Sequence, residues 1–554
     1  MGDGLYTSHP AFTNWSKGHY GGRSLLSEYW YNYRRVDPDL RDIVMCIEVV
    51  FSVDKRVFIS SRPCNVSSSS TGAEYNYLPV MKSEPELKSS VSIGGSDSSA
   101  RSFSFELPNE LVDASALLKS GRMLAGVAEV SLQYDGGDYD NRLVVMRGEM
   151  DSGVSFFPAN GGTMQFSITD PKASLDLILP PYTITRQLFP FAPTESAGLR
   201  YPIILNDYNM VPCSWIKGTA TTQHLLIGHG ALETDSSDYL WVDGEPYSSV
   251  DATYGWTVAT SSDPNGVTYT YVQFTHNPST EYKESVYIPI LKGQSRKNPV
   301  EQIRYLLRNY TAFDDKDVNS QRFSAAVGHL SGVVCSALVN SGSGNDTTTL
   351  GFIEGGICAS FPMLSMAWMM GGYGPVVVDR NAAKIGLKLN SKAHPIMARA
   401  TAVQEKAKNE LYNSFTVEYQ FNAMDNIYEE VVQADRSTNA VCNISAQQIG
   451  LRQHDTIQCP FIKDDNTAQQ VLDWLVLHLA LPSYYVEYEC VASVFFSVAL
   501  GDNLSLTDED FGWEDLDATV VSLSYKSGKV VLGLQVWSPH YSNIGGSYAA
   551  YPRV

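Results

Sequence analysis

Apolar and polar residues along this chain alternate in short runs more often than they recur at helical spacing, and turn residues separate the runs. Residues 43–59 read as strand, interrupted by the turn candidate Asp54-Lys55. The stretches 67–72 and 89–99 read as Ser/Gly-rich loops, and 101–107 places Phe103, Phe105 and Leu107 on one face. Residues 127–134 and 143–149 flank Asp135-Gly136-Gly137-Asp138, a hairpin signal with Gly where a positive φ is needed. Short strands follow at 154–157 and 164–169. Then come Leu179-Pro180-Pro181-Tyr182, Phe189-Pro190-Phe191 and Tyr201-Pro202-Ile203. Proline at that density excludes helix and central strand, and predicts an ordered loop crossing a surface. Residues 216–290 return to strand, with turns at Asp243-Gly244 and Pro264-Asn265-Gly266.

The middle of the chain changes period. Asn298-Pro299 puts a capping residue before a proline, and Ile303, Leu306, Leu307 and Tyr310 follow at helical spacing. Phe323, Val327, Leu330 and Val334 predict a second helix, weakened by Gly328 and Gly332. Residues 359–370, apolar nearly all round, predict a buried helix ended by Gly371-Gly372. Residues 375–378 and 384–389 then predict a hairpin turning at 379–381. Near the end, Asp465 or Thr467 caps a helix with Ala468, Val471, Leu472, Leu475 and Leu479 on one face, stopped by Pro482. Val486, Tyr488 and Cys490 alternate with Glu487 and Glu489. Val521, Leu523 and Tyr525 alternate with Val520, Ser522 and Ser524, and after the turn Ser527-Gly528 Leu532, Leu534 and Val536 do the same. Each strand then has one buried face, as in a small antiparallel barrel.

At 554 residues the chain exceeds one ordinary core, which predicts three or four domains. Charged residues are only 18% while Tyr reaches 32, a balance that favours strands over long surface helices. The formal net charge of -20 repels phosphate backbones and argues against specific nucleic-acid binding. The eight cysteines are scattered without C-x-x-C spacing, and read as small buried hydrophobes in a reducing compartment. No signal peptide is visible after Met1-Gly2-Asp3-Gly4 and no apolar run reaches membrane-spanning length, so synthesis and folding in the cytoplasm are expected. Trp15, Tyr20, Tyr29, Trp30, Tyr31 and Tyr33 make the first 35 residues aromatic. They read either as an extended arm packing on a neighbour or as a segment packed on its own domain.

Candidate chemistry is thin. His224 and His229 are five apart without a Glu partner, so a metal site there is a minor reading. Asp135, Asp138 and Asp140 could gather oxygens for Ca²⁺ but lack the distal bidentate Glu, and a solvated hairpin tip fits better. Asp508, Glu509, Asp510, Glu514, Asp515 and Asp517 read as a repelling surface in a loop after a strand, not as a tuned acid/base pair. No nucleophile elbow, P-loop or dinucleotide fingerprint occurs. The expectation is therefore no enzyme, with no catalytic, cofactor-binding or metal-ligating residue and no cofactor.

The C-terminal block carries a resemblance. The helix at 467–481, Pro482, and the run Leu500-Gly501-Asp502-Asn503-Leu504-Ser505-Leu506-Thr507-Asp508 resemble bacteriophage tail hub proteins. In that family a Leu-Gly-Asp turn ending in Leu-Thr-Asp recurs in a terminal β-barrel. The closing hairpin at 520–537, the Asn298-Pro299 helix with Asn309-Tyr310-Thr311, and the 371–389 stretch are similar to the same family. So, less specifically, are Leu78-Pro79 and the proline-rich 179–202 segment. The aromatic arm and the strands near 216–290 depart from the best-known hubs.

The fold this implies is mainly β with a smaller α/β segment, multidomain, with two hub-type antiparallel β-barrels plus inserted domains. The expected divisions are an aromatic arm at 1–35, a first β-barrel-like domain at 36–215, and a β-rich domain or insertion at 216–290. An α/β middle domain at 291–410 and a C-terminal β-barrel domain with one helix at 411–554 complete them. The resemblance implies a virion structural protein forming the hub of a tail tip or baseplate, joining the tube to the tip or spike and lining the DNA channel. Its partners would be copies of itself in a ring (trimer favoured, hexamer second), other tail proteins, and DNA that passes without specific binding. Host-surface contact is a further expectation. A distal tail ring protein and a host receptor- or carbohydrate-binding tail protein are the alternatives. Residues 401–554 hold twenty acidic side chains against eight Lys and Arg, so -12 of the -20 is local. Much of that charge, part of 508–517 included, is expected to face the channel, with an acidic outer surface as the other reading.

Overall fold

The computed structural model describes residues 43–537 apart from internal stretches, of which 109–126 and 275–285 are the longest. The aromatic residues of the first 35 positions, the turn residues Asp54, Ser527 and Gly528, and most of the 89–99 stretch lie outside the described residues. Strands dominate, as expected, and a smaller helical part sits in the second half. Among the described residues no helix is long and apolar enough to cross a membrane.

The N-terminal part is an antiparallel sheet in the order 55–60, 43–52, 127–134, 143–150, 163–169, 102–108, with 155–157 beside 163–169. The strand Ile43–Ser52 reads as a continuous apolar run because it is buried on both faces. Met45, Ile47 and Val49 join the main core, while Val44 and Cys46 pack with Cys64, Val66 and Tyr77 on the other side. The hairpin at 135–138 is present, with Gly136 at φ 74°. It is longer than expected, since a single 3₁₀ turn, Tyr139–Asn141, lies between its strands.

One expectation in this half changes. Ser89 and Ser90 are not loop: Leu87–Ser90 is a strand paired antiparallel with Trp513–Lys526, far away in sequence. The proline-rich stretch is an ordered, irregular loop at the surface, as expected, with Pro181 and Phe191 exposed and other side chains turned inward. Ile184, Phe189, Ala192 and Tyr201 form a small core with Ile216 and Leu226, so irregular backbone brings large side chains inward. Beyond it, two four-stranded antiparallel sheets face each other across Ile204, Trp215, Leu225, Leu240 and Ile288. The turns at Asp243-Gly244 and Gly266 have the positive φ expected of them.

In the middle, Asn298 caps Pro299–Tyr310 by accepting from the Val300 N–H, and Ile303, Leu306, Leu307 and Tyr310 are buried. The second helix is Ser320–His329, which ends before Val334. The helix expected at 359–370 is instead the strand Leu364–Met369, paired antiparallel with Gly372–Val377. All six of its residues are buried, so it shows no alternation and its sequence cannot be told from a buried helix. The hairpin expected across 375–389 is also absent. Gly372–Val377 turns back on Leu364–Met369, and Lys384–Asn390 runs parallel to Asn503–Asp508.

The C-terminal sheet has the order 384–390, 503–508, 513–526, 529–537, 483–491, 396–399, with 404–405 beside 483–491 and 87–90 beside 513–526. It therefore borrows strands from outside 411–554 and contains one parallel pair. Val486, Tyr488 and Cys490 and then Leu532, Leu534 and Val536 are fully buried, as their alternation predicts. The helix Asp465–Leu479 is capped by Asp464, not Asp465 or Thr467: its carboxylate accepts from the Thr467 N–H. It is buried nearly all round, since Trp474, Val476, Leu477 and His478 join the expected face. A second helix, Ala440–Ile449, and a three-stranded sheet (427–434, 415–422, 457–458) complete this end.

Candidate functional site

The residues with apparent chemical potential resolve into packing. His224 meets the Tyr271 ring at 4.5 Å, while His229 stacks on Tyr182 at 4.9 Å and sets Nδ1 3.0 Å from the Tyr310 hydroxyl. Burial pushes both imidazole pKa values down. Asp135, Asp138 and Asp140 clasp the 64–77 hairpin: the backbone N–H groups of Asn65, Ser69 and Ser70 donate to them at 2.8, 3.1 and 2.8 Å. The Ser70 N–H leads the contacts that hold the Asp140 carboxyl below its usual range. Among the described residues no three His, Cys, Asp or Glu side chains gather as a metal cage. All eight cysteines are unbridged and seven are buried, and burial pushes the thiols of Cys442, Cys459 and Cys490 up to about 12.

The acidic group at 508–517 is not a loop. Asp508 ends the strand Asn503–Asp508, Glu509 and Asp510 form a 3₁₀ turn, and Glu514, Asp515 and Asp517 begin the strand Trp513–Lys526. A comb of cations from neighbouring strands meets it. Lys384 pairs with Asp517, Lys388 with Asp515 at 3.6 Å, Lys392 with Glu509, and Arg399 with Asp508 and Asp510 at 2.8 and 3.2 Å. Four cations meet six carboxylates, so the surface keeps a net charge of -2.

The resemblance motif itself lies at a junction of three parts of the chain. Gly501 has φ +82°, a conformation L side chains adopt at a cost. A Cβ there would lie 2.7 Å from the Val377 carbonyl oxygen. Its N–H donates to the Val520 carbonyl, and the Asp502 carbonyl accepts from the Val520 N–H. The Asp502 carboxylate is buried, accepting from the Ala499 N–H at 2.8 Å and from Arg322 Nη1 at 3.2 Å. Asp508 is fully buried too, accepting from the Tyr488 hydroxyl, from Arg399 and from the Asp510 N–H. Burial alone would raise the Asp508 carboxyl; the Tyr488 and Arg399 donors outweigh it and hold it below the ordinary carboxylate range. Arg322 and Arg399 had no signal in the sequence, because their partners are 180 and 109 residues away. The motif is an anchor between middle segment and terminal sheet, as its structural reading implies.

Beside this junction opens a cleft of roughly 940 Å³. The strand Ile427–Ala434, the helix Asp465–Leu479 and residues 329–333 and 377–381 form its walls. His329 Nε2 lies 3.1 Å from the Asp379 carboxylate, and Tyr419 donates to Asp465 at 2.8 Å. At its back Trp474 donates to the Val378 carbonyl and stacks on His478. No expected site residue lies here; the lining comes from six separate parts of the chain, Met363 and Tyr419 included.

No protein-family model matches the chain, and no curated protein matches it. Solved structures similar to it include a tail protein from Neisseria meningitidis MC58, at 10% identity over 89% of this chain and 98% of that one, with a TM-score of 0.38. The 43 kDa tail protein of prophage MuSo2 from Shewanella oneidensis is similar at 9% identity, 89% and 98% coverage and a TM-score of 0.38. A chain of a native gene transfer agent virion is similar at 10% identity, 64% and 88% coverage and a TM-score of 0.37.

Proposed function

We propose that this chain is a structural virion protein, the hub of a bacteriophage tail tip or baseplate, acting by assembly with copies of itself and with other tail proteins. The observation that carries the reading is the junction at 500–508. The run that resembles the hub family is folded as a tight turn at the head of a terminal β-sheet. Both of its aspartates are buried against arginines from other segments. A motif spent on holding two parts of a subunit together suits a scaffold better than a catalyst.

In this reading the subunit forms a ring, a trimer in preference to a hexamer, that joins the tail tube to the tip or spike and lets DNA pass without specific binding. The net acidity that would keep a duplex from adhering is shared in this reading between part of 508–517 and other carboxylates of this end, for example Glu418, Asp425, Glu429, Glu430 and Asp435. The test is native mass measurement of the purified protein together with imaging of tail tips. Three copies per ring is the expected result. Six would return the distal tail ring reading, and a protein absent from tails would overturn the proposal.

A further inference from the structure

One end of the C-terminal sheet carries aromatic rings to the surface, which anchoring the subunit does not require. On the core face of the strand Ser483–Val491, Val486 and Tyr488 are fully buried, while Tyr484, of the same parity, is only half-buried. Trp513 stands opposite Asp508 in the neighbouring ladder and is half-buried too. Phe511, in the turn between those strands, is 43% exposed. The rings touch in a row. Tyr484 and Trp513 lie 5.8 Å apart between centroids at 43°, and Trp513 and Phe511 lie 5.0 Å apart at 33°.

Fixed polar groups border the row. The Arg399 guanidinium lies 4.5 Å over the Phe511 ring and is held by the buried Asp508 at 2.8 Å and by Asp510 at 3.2 Å. The Asp510 side chain is 64% exposed, so its carboxylate also faces solvent. At the other end of the row Glu405 is the cross-strand neighbour of Tyr484 and is exposed. These surroundings select the ligand. A large dry protein interface would strip water from Lys388–Asp515 and Lys392–Glu509, whose side chains are 55% to 75% exposed, and interface cores are depleted in such charges. A cationic ligand would find Arg399 already on the Phe511 ring. An anionic ligand would meet six carboxylates against four cations. A neutral pyranose sugar suits both features. Its axial C–H bonds, slightly positive, rest on the negative face of an aromatic ring. Its vicinal hydroxyls match the planar donor and acceptor edge of a guanidinium paired with a carboxylate.

We propose that Tyr484, Trp513 and Phe511, with Arg399, Asp510 and Glu405 around them, bind a neutral pyranose unit of a glycan. The site stands apart from the hub reading, because sugar binding and ring assembly are measured separately. The test is saturation-transfer NMR on the full chain. The probes are methyl β-D-glucopyranoside, methyl β-D-galactopyranoside, methyl α-D-mannopyranoside and methyl N-acetyl-β-D-glucosaminide, with methyl β-D-glucuronide as the anionic comparison. The expected result is transfer to the ring protons of at least one neutral glycoside, and weaker transfer to the glucuronide. Phe511→Ala and Asp510→Ala, both at exposed positions, should each weaken binding about tenfold, the equivalent of one stacked ring or one charge-assisted hydrogen bond. Trp513→Phe, which keeps a ring, should stay within about threefold of the original chain, while Trp513→Ala loses the signal. Thermal melting of each variant separates lost binding from lost folding. No transfer to any neutral glycoside overturns the proposal. So does equal transfer in the original chain and in folded Phe511→Ala and Asp510→Ala, or stronger transfer to the glucuronide than to every neutral probe.

Discussion

Acidification should weaken this fold through one buried imidazole. His478 is 1% exposed, and its two nitrogens have fixed partners. Nδ1 lies 2.8 Å from the Trp474 carbonyl and donates its proton there, while Nε2 accepts from the Arg380 N–H at 3.2 Å. That geometry holds the neutral ring, because a proton on Nε2 would face another donor. Burial is the main cause that lowers its pKa from 6.5 to about 4; the Trp474 carbonyl and Asp379 pull the other way, and Arg380 and Lys406 add to the lowering. The unfolded chain therefore takes up this proton first, near pH 6.5, and the folded chain only near 4. Stability is flat above the upper value, falls as pH drops between the two, and levels off below the lower one. Moving from about pH 7.5 to about pH 5 removes on the order of 2 kcal/mol. The assay is urea unfolding at both pH values, followed by tryptophan fluorescence, for the original chain and for His478→Gln. The variant starts less stable, but its loss on acidification should be smaller by about 2 kcal/mol, since contributions from His224 and His229 cancel in the comparison. An identical pH loss in both proteins refutes the reasoning.

Gly501→Ala should cost roughly 2–5 kcal/mol, from the left-handed backbone and the overlap with the Val377 carbonyl, read as a lowered unfolding midpoint; an unchanged midpoint removes the anchor role of the turn. Arg322→Met strands the buried Asp502 carboxylate and should cost about 3–5 kcal/mol, whereas Arg322→Met with Asp502→Leu should recover part of that in the same melt. Asp464→Ala removes the helix cap at Thr467 and should cost about 1 kcal/mol by denaturant unfolding, with Asp464→Asn near neutral. Asp508, held below the ordinary carboxylate range, contributes stability that is full above about pH 4 and lost as pH falls further; Asp508→Asn should flatten that acid limb.

Strands with one wet face were legible from the chain. In 483–491 the glutamates alternate with Val486, Tyr488 and Cys490, and solvent on one side is what prints that alternation. Where water is excluded from both sides the print disappears, as at Leu364–Met369, where six buried residues read as a helix. The cap at Asn298 was legible because capping is local, and the one at Asp464 was missed by a single residue because four adjacent positions, Asp464, Asp465, Asn466 and Thr467, can all cap. Ion pairs such as Arg322–Asp502 and the six-part lining of the cleft depend on chain path, and a path is not encoded at any one position.

The strand Leu87–Ser90 gives the subunit an unusual timetable. Its neighbour in the finished sheet lies at Trp513–Lys526, and the Ser524 hydroxyl donates to Glu86 across 438 residues of sequence. At a synthesis rate of about 5–20 residues per second, the early strand waits roughly 20–90 s before its partner leaves the ribosome. During that interval the edge it will cover does not exist, and the edge it offers is open to chaperones or to a second nascent chain. Pairing of these two strands cannot precede synthesis of Trp513–Lys526. A subunit so closed has been translated through its C-terminal sheet, so an incomplete chain would lack the pairing that seals its own N-terminal part.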